Sequence, residues 1–305
     1  MAHVSDKVRA ACARVARLAR SVRIDRSAIA AYAQELAASA EAGASYSIDG
    51  DRNSRAAFVI CLDAINFGSG WWPTIRKRDG LSGYSTIEAG LVERFREEGA
   101  WTAEELTQLA AADLASVTDQ DTDHPLMEQY ATVLRDVGER VLAGHGGSFE
   151  SVVDAAGGSA LVLTDLLAGW EAFADVSEYE DQPAPFFKRA QIAAADVDRM
   201  GVAELRDVDL LTAFADNLVP HVLRVDGVLR LDPELERRID VEELLVHGSP
   251  EEVELRACAV HAIELFADAL DRRLSPAQVD AALWNRGRTP RYKSRPRPRC
   301  RNTAY

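Results

Sequence analysis

Three stretches of the sequence carry side chains that a helical scaffold does not need. The first is Leu210-Leu211-Thr212-Ala213-Phe214-Ala215-Asp216-Asn217-Leu218-Val219-Pro220-His221-Val222-Leu223, which sets one carboxylate between two apolar runs. Its periodicity predicts a helix closing at Asp216 and a second starting around Pro220, a tight helix–turn–helix with the carboxylate at the joint. Asp-Asn is also ordinary turn and capping chemistry, so Asp216 reads either as a turn residue or as a carboxylate held on rigid elements at a cleft. The second stretch runs from Tyr179 to Gln191, where Pro183 and Pro185 impose an extended approach and a helix is expected near Phe186. Lys188 then sits in the first turn, where the helix dipole disfavours a cation and free N–H groups beside it suit an anion. A solvated lysine is the plainer alternative. Asp196 lies two turns on, on roughly the same face, as a surface charge or half of an internal salt bridge. In the third stretch, Leu62 to Pro73, a helix ends in a glycine loop bearing Asn66, Phe67, Trp71 and Trp72. That loop either packs on the core or offers a planar ligand a stacking face, with Asn66 as donor and acceptor.

Other combinations are weaker. Glu254, Cys258 and His261 share a helix face at metal-ligand spacing, but no fourth ligand has motif spacing, and a buried cysteine beside a histidine is the commoner situation. Neither a metal nor a redox cofactor is expected. Glu254 and Arg256 flank an apolar stripe and are placed for polar contacts with other segments, structural or ligand-binding. The four cysteines (Cys12, Cys61, Cys258, Cys300) are scattered without CxxC pairing, which reads as reduced thiols in a cytoplasmic protein. No window suggests a membrane span.

The elements that must position these groups are helices. Ser85…Glu88, Thr102…Glu105, Ser249…Glu252 and Ser275…Gln278 all have capping-box spacing, the last two with proline at the first helical position. Leu255, Ala259, Ala262, Phe266 and Leu270 recur at steps of three and four, and helix stops fall at Gly99, Gly144-His145-Gly146-Gly147, Gly157-Gly158 and Gly201. The class is all-α with room for a short hairpin. With no long Gly/Ser linker, residues 1–305 are expected to form one helical domain. The net charge of −14 hides a segregation. Residues 286–305 hold eight basic side chains and no acid, leaving residues 1–285 with 27 basic against 49 acidic groups, a net −22. An acidic body argues against nonspecific binding of nucleic acid by the whole surface.

Taken together, these segments resemble the queuosine salvage proteins, the queuosine 5′-phosphate N-glycosylase family. The matching runs are Asn66-Phe67 with the tryptophan that follows, Ser82-Gly83-Tyr84, Gly146-Gly147-Ser148-Phe149 and Phe187-Lys188-Arg189-Ala190-Gln191-Ile192…Ala195-Asp196. Phe214-Ala215-Asp216…Val219-Pro220…Val222-Leu223, Glu252-Val253-Glu254-Leu255-Arg256, Leu283-Trp284 and Arg299…Arg301…Tyr305 continue the series in family order, from about residue 50 to 305. Pro298 stands where family members often have histidine, and the terminal aromatic pair is reduced to Ala304-Tyr305.

The resemblance implies a helical fold similar to the helix–hairpin–helix DNA glycosylases, working on a free nucleotide. The substrate would be queuosine 5′-monophosphate, and the products queuine and ribose 5-phosphate. Asp216 matches the catalytic aspartate and Lys188 a lysine that contacts the phosphate. Asp196, Arg256 and Trp284 fall in matching runs and are implied to face substrate. Breaking an N-glycosidic bond develops oxocarbenium character, which a carboxylate can stabilise, attack, or meet with an activated water. A 7-deaza base has carbon at position 7, so protonating N7 is not open to the enzyme. Asn66 or Glu254 would then read the guanine-like edge, Phe67, Trp71 or Tyr84 would stack, and Lys188 with a tail arginine such as Arg299 would hold the phosphate. A monomer is expected. The rivals are a base-excision DNA glycosylase, disfavoured by the acidic residues around Asp216 (Asp207, Asp209, Asp226, Asp232), and a non-enzymatic RNA-binding helical module using the basic tail.

Overall fold

The computed structural model describes residues 2–39 and 49–305. Helices dominate them, accompanied by three two-stranded sheets. The chain groups into two compact units, one made of Met1–Ala44, Asp175–Lys188 and Asp209–Arg301, the other of Ser45–Ala174, Arg189–Val208 and Asn302–Tyr305.

The first unit is built around the helix Pro250–Ala269. Ser249 caps it, accepting the Glu252 N–H, with Pro250 at the first position. Its residues are buried almost all round, including Val253, Leu255, Val260, Ile263 and Phe266. Such a helix needs partners on every side. The helices Val4–Leu18, Ile29–Ser39 and Pro276–Gly287 supply them. The strands Val22–Ile24 and Leu229–Leu231 pair antiparallel, Leu244–Leu245 and Arg299–Cys300 pair parallel, and the hairpin Val176–Tyr179/Gln182–Pro185 fulfils the expectation of one short hairpin. The helix Leu218–Val225 packs on Pro276–Gly287 at a close approach. A Cβ on Gly287 would lie 2.7 Å from Leu218 Cδ1 and 2.9 Å from Val222 Cγ2.

The second unit surrounds the helix Pro125–His145, with Arg52–Ala64, Gly83–Glu98, Ala103–Thr107, Ala111–Thr118, Phe149–Ala155 and Ala160–Leu167. Ala103–Thr107 has the full capping box of Thr102 and Glu105, and in the first unit Pro276–Gly287 has that of Ser275 and Gln278. Gly99 and Gly146 end their helices as expected, Gly146 in the left-handed conformation. The Ser85 box is not used. That helix starts one turn earlier, at Gly83, because Ser82 accepts the Ser85 N–H and so takes the cap.

A second correction concerns residues 211–216, which form no helix. The helix expected there would satisfy its own backbone, but here side chains do so instead: Phe214 N–H donates to Asp280 Oδ1 (3.1 Å) and Arg256 Nε donates to Ala215 O (3.1 Å). Tertiary partners have overridden an apolar period.

Arg256 makes that override possible. Its guanidinium forms two parallel bonds to Asp175, at 2.9 and 2.7 Å, and stacks 3.9 Å from the Phe186 ring centroid. Both side chains are about 1% exposed. Removing one partner of such a pair leaves the other charged and buried, at about 3–5 kcal/mol. Asp175→Ala is therefore expected to lower unfolding free energy by that order in chemical denaturation. A loss under about 1 kcal/mol, the size of an exposed pair, would show that the network does not hold this region.

Candidate active site

Asp175 organises the approach to Lys188. Its carbonyl accepts the N–H groups of Phe186 (3.0 Å) and Phe187 (3.4 Å), while its carboxylate accepts the Lys188 N–H (3.1 Å). Phe187 has φ +48°, a left-handed conformation that turns the chain out of the hairpin and into the helix Lys188–Arg199. The helix begins two residues later than expected, with Lys188 as its first residue. Lys188 is 5% exposed, so the plainer reading of a solvated lysine does not hold.

Asp216 is half-buried just ahead of the helix Leu218–Val225. Its Oδ1 accepts the N–H groups of Leu218 (2.8 Å) and Val219 (3.1 Å), the capping role that Asp-Asn suggests. Among the described residues no hydrogen bond reaches Oδ2. One oxygen is thus pinned by two backbone donors. Arg256 bonds Ala215 O and Asp175 together, so one guanidinium ties the segment ending at Asp216 to the residue that starts the Lys188 helix.

Two further titratable groups belong to this cluster. Asp280, on Pro276–Gly287, is 5% exposed. Burial, then the negative Asp216 beside it, raise its carboxyl well above the usual carboxylate range, against the Phe214 N–H and the Lys188 charge. Arg297 is half-buried and donates to Gly287 O (3.2 Å). Burial lowers its pKa, while its attraction to Asp216 acts the other way. Asn217 Nδ2 donates to Pro298 O (2.9 Å), fixing this part of the tail beside the Asp216 loop.

The remaining candidates of the first unit have other partners. Glu254 accepts from the N–H groups of Arg20, Ser21 and Val22 and from the Tyr179 hydroxyl (2.7 Å), a structural clasp on a turn. Arg299 pairs with Glu242 at 2.7 Å, while Arg297 has Asp216 among the charges that act on it. Trp284 lies under the guanidinium of Arg288, 4.8 Å from the ring centroid.

Within the second unit, Asn66 and Phe67 lie together. Asn66 Nδ2 donates to Asp63 Oδ1 (3.4 Å), and Phe67 meets Tyr130 edge-on at 5.0 Å. Arg189 packs over Phe67 and donates to the carbonyls of Ala64 and Ala304, and Gly68 N–H donates to Tyr305 O. Trp71 is buried, and Tyr84 is half-buried with its hydroxyl donating to Glu88 (3.4 Å). Asp196 pairs with Arg199 at 2.8 Å; burial raises its pKa and the arginine opposes the shift.

Sequence reasoning missed Asp175, Asp280 and Arg297. Asp280 carried a signal: it falls on the stripe Pro276, Val279, Asp280, Leu283, Gly287, where an acid has no reason to be among apolar residues. Asp175 and Arg297 had none, since their importance comes from partners far along the chain.

A family model described as queuosine salvage protein matches residues 46–305. A protein of Sphaerobacter thermophilus named queuosine 5′-phosphate N-glycosylase/hydrolase is 34% identical over 292 residues, 90% of each chain. Proteins of the same name from Mus musculus (32% identical, over 54% of this chain and 52% of theirs) and Nematostella vectensis (30%, over 68% and 64%) also match. With a family model matching residues 46–305 and a relative 34% identical over 90% of the chain, this chain belongs to the queuosine salvage protein family.

Proposed function

We propose that this protein hydrolyses the N-glycosidic bond of queuosine 5′-monophosphate, releasing queuine for reuse together with ribose 5-phosphate. The observation that carries this reading is the Asp216 carboxylate, with Oδ1 pinned by two backbone N–H groups and Oδ2 left without a hydrogen bond among the described residues. Membership of the family and the name shared by its relatives supply the substrate.

In this mechanism the C1′–N bond breaks with its electron pair going to the base. Positive charge grows at C1′, where Oδ2 of Asp216 stabilises it and a water oxygen completes the hydrolysis. The water's two protons divide between the new sugar hydroxyl and the base. Because Oδ1 is already held, Asp216 needs little reorganisation as charge develops. Lys188 binds the 5′-phosphate, and this remote contact orients the sugar. Base contacts by Asn66, Phe67, Trp71 and Tyr84 follow from the family resemblance. We also read the protein as a cytoplasmic monomer on a scaffold similar to the helix–hairpin–helix DNA glycosylases, acting on free nucleotide; the −22 charge of residues 1–285 supports exclusion of polynucleotides.

Base release from queuosine 5′-monophosphate, followed chromatographically, tests the activity. Asp216→Asn is expected to lower kcat by about a thousandfold or more while substrate binding persists. A normal kcat in that variant would remove Asp216 from the chemistry. Lys188→Ala is expected to raise KM for the 5′-monophosphate by about ten- to a hundredfold, the worth of one charged hydrogen bond, and to leave the nucleoside nearly unaffected. Equal losses on both substrates would remove the phosphate role.

A further inference from the structure

The hydrolysis described above does not use one buried carboxyl of the cluster. Asp280 is held on Pro276–Gly287, which Gly287 lets pack closely on Leu218–Val225. Its Oδ1 accepts the Phe214 N–H, its one hydrogen bond among the described residues. Phe214 lies two residues before Asp216, in a segment with no helical or sheet ladder of its own. Asp280 therefore clamps the backbone that delivers Asp216. The charged groups that face it are Asp216, ahead of Leu218–Val225, and Lys188, at the start of the Lys188–Arg199 helix; Arg297 of the tail in turn faces Asp216.

We propose that Asp280 is a positioning residue for hydrolysis at Asp216: as a neutral carboxyl it clamps Phe214 and leaves Asp216 the one negative charge of the pair. This rests on the assignment of Asp216 above. Two neighbouring carboxylates, one of them buried, do not both ionise cheaply. Burial and the neighbouring Asp216 charge raise the pKa of Asp280, so the buried one keeps its proton. The consequence has a definite sign. As pH rises through the elevated pKa of Asp280, a second negative charge appears beside Asp216 and Lys188. That charge competes for Lys188 and repels an anionic substrate, so activity falls on the alkaline side.

Steady-state kinetics across pH, on wild type and two variants, test the proposal. Asp280→Ala loses the clamp and is expected to lower kcat by about a hundredfold with little change in KM, the scale of a small misplacement of a reacting group. Asp280→Asn keeps a neutral acceptor for Phe214 and is expected to recover at least about tenfold of that loss. It should also lack the alkaline fall of the wild type. An Asn variant as damaged as Ala, or one that keeps the alkaline fall, would overturn the proposal. Carboxyl ¹³C NMR of aspartate-labelled protein makes the same test without turnover, the Asp280 signal being identified by its loss in Asp280→Asn. The signal is expected to be protonated at neutral pH and to ionise at lower pH in Asp216→Asn. A signal already ionised at neutral pH, or unmoved by Asp216→Asn, also overturns the proposal. Intact coupling in a wild type that releases no queuine would instead overturn the substrate assignment and uphold the carboxyl pair.

Discussion

The buried pair of Arg256 and Asp175 is the interaction on which the rest of this arrangement depends. An ion pair about 1% exposed is a poor source of net stability, because desolvation offsets most of its attraction. What it supplies is geometry. Asp175 uses its carbonyl to turn the chain at Phe186 and Phe187, one carboxylate oxygen to receive the Lys188 N–H, and both oxygens to hold a planar guanidinium. The third edge of that guanidinium reaches Ala215 O. The backbone at Lys188 and the backbone at Asp216 are thus referred to one rigid, planar group. A lysine at position 256 could not do this, since an ammonium lacks the fixed fork that serves two partners in set directions.

The charge segregation of the sequence is partly undone in the first unit, where three of the eight basic tail residues pair with acids. Arg286 meets Glu35 and Asp226, Arg291 meets Asp226, and Arg299 meets Glu242. Asp226 is the node, since the hydroxyls of Tyr32 and Tyr292 also donate to it. The pairs to the exposed Glu35 and Glu242 contribute little each, whereas the Asp226 carboxylate is 5% exposed. Together they hold the tail against the acidic body and leave Arg297 as the cation presented to Asp216.

Local chemistry was legible in the sequence, and distant chemistry was not. Thr102 and Ser275 cap their helices with a hydroxyl and an acid or amide three residues on, both within one turn. The central helix and the loop beginning at Asn66 were likewise readable from apolar spacing and glycine. The stretch Leu211–Ala215 misled because its apolar residues satisfy a helical period, whereas its backbone is claimed by Asp280 and Arg256 from elsewhere in the chain. Glu254 shows the same limit. A carboxylate on a helix face looks available until the turn Arg20–Val22 closes over it. Candidate chemistry could be found by residue type; which atoms stay unclaimed depends on contacts that no local window contains.

The division of the chain into segments has a consequence for how the molecule forms. Most of the second unit is one continuous run, Ser45–Ala174, in which Ala103–Thr107 and Ala111–Thr118 pack on the nearby Pro125–His145. The first unit is discontinuous, and its clasp joins Val22 to Glu254 across 232 residues. Closing so long a loop costs entropy before the contact returns any, and nonlocal contacts of this kind slow folding. The Val4–Leu18 helix, made on the ribosome well before Pro250–Ala269, has to wait for that helix before it can bury its apolar face. Arg256 of that same helix ties the backbone at Lys188 to the backbone at Asp216, so competence for the proposed catalysis arrives only with the closing of these long loops.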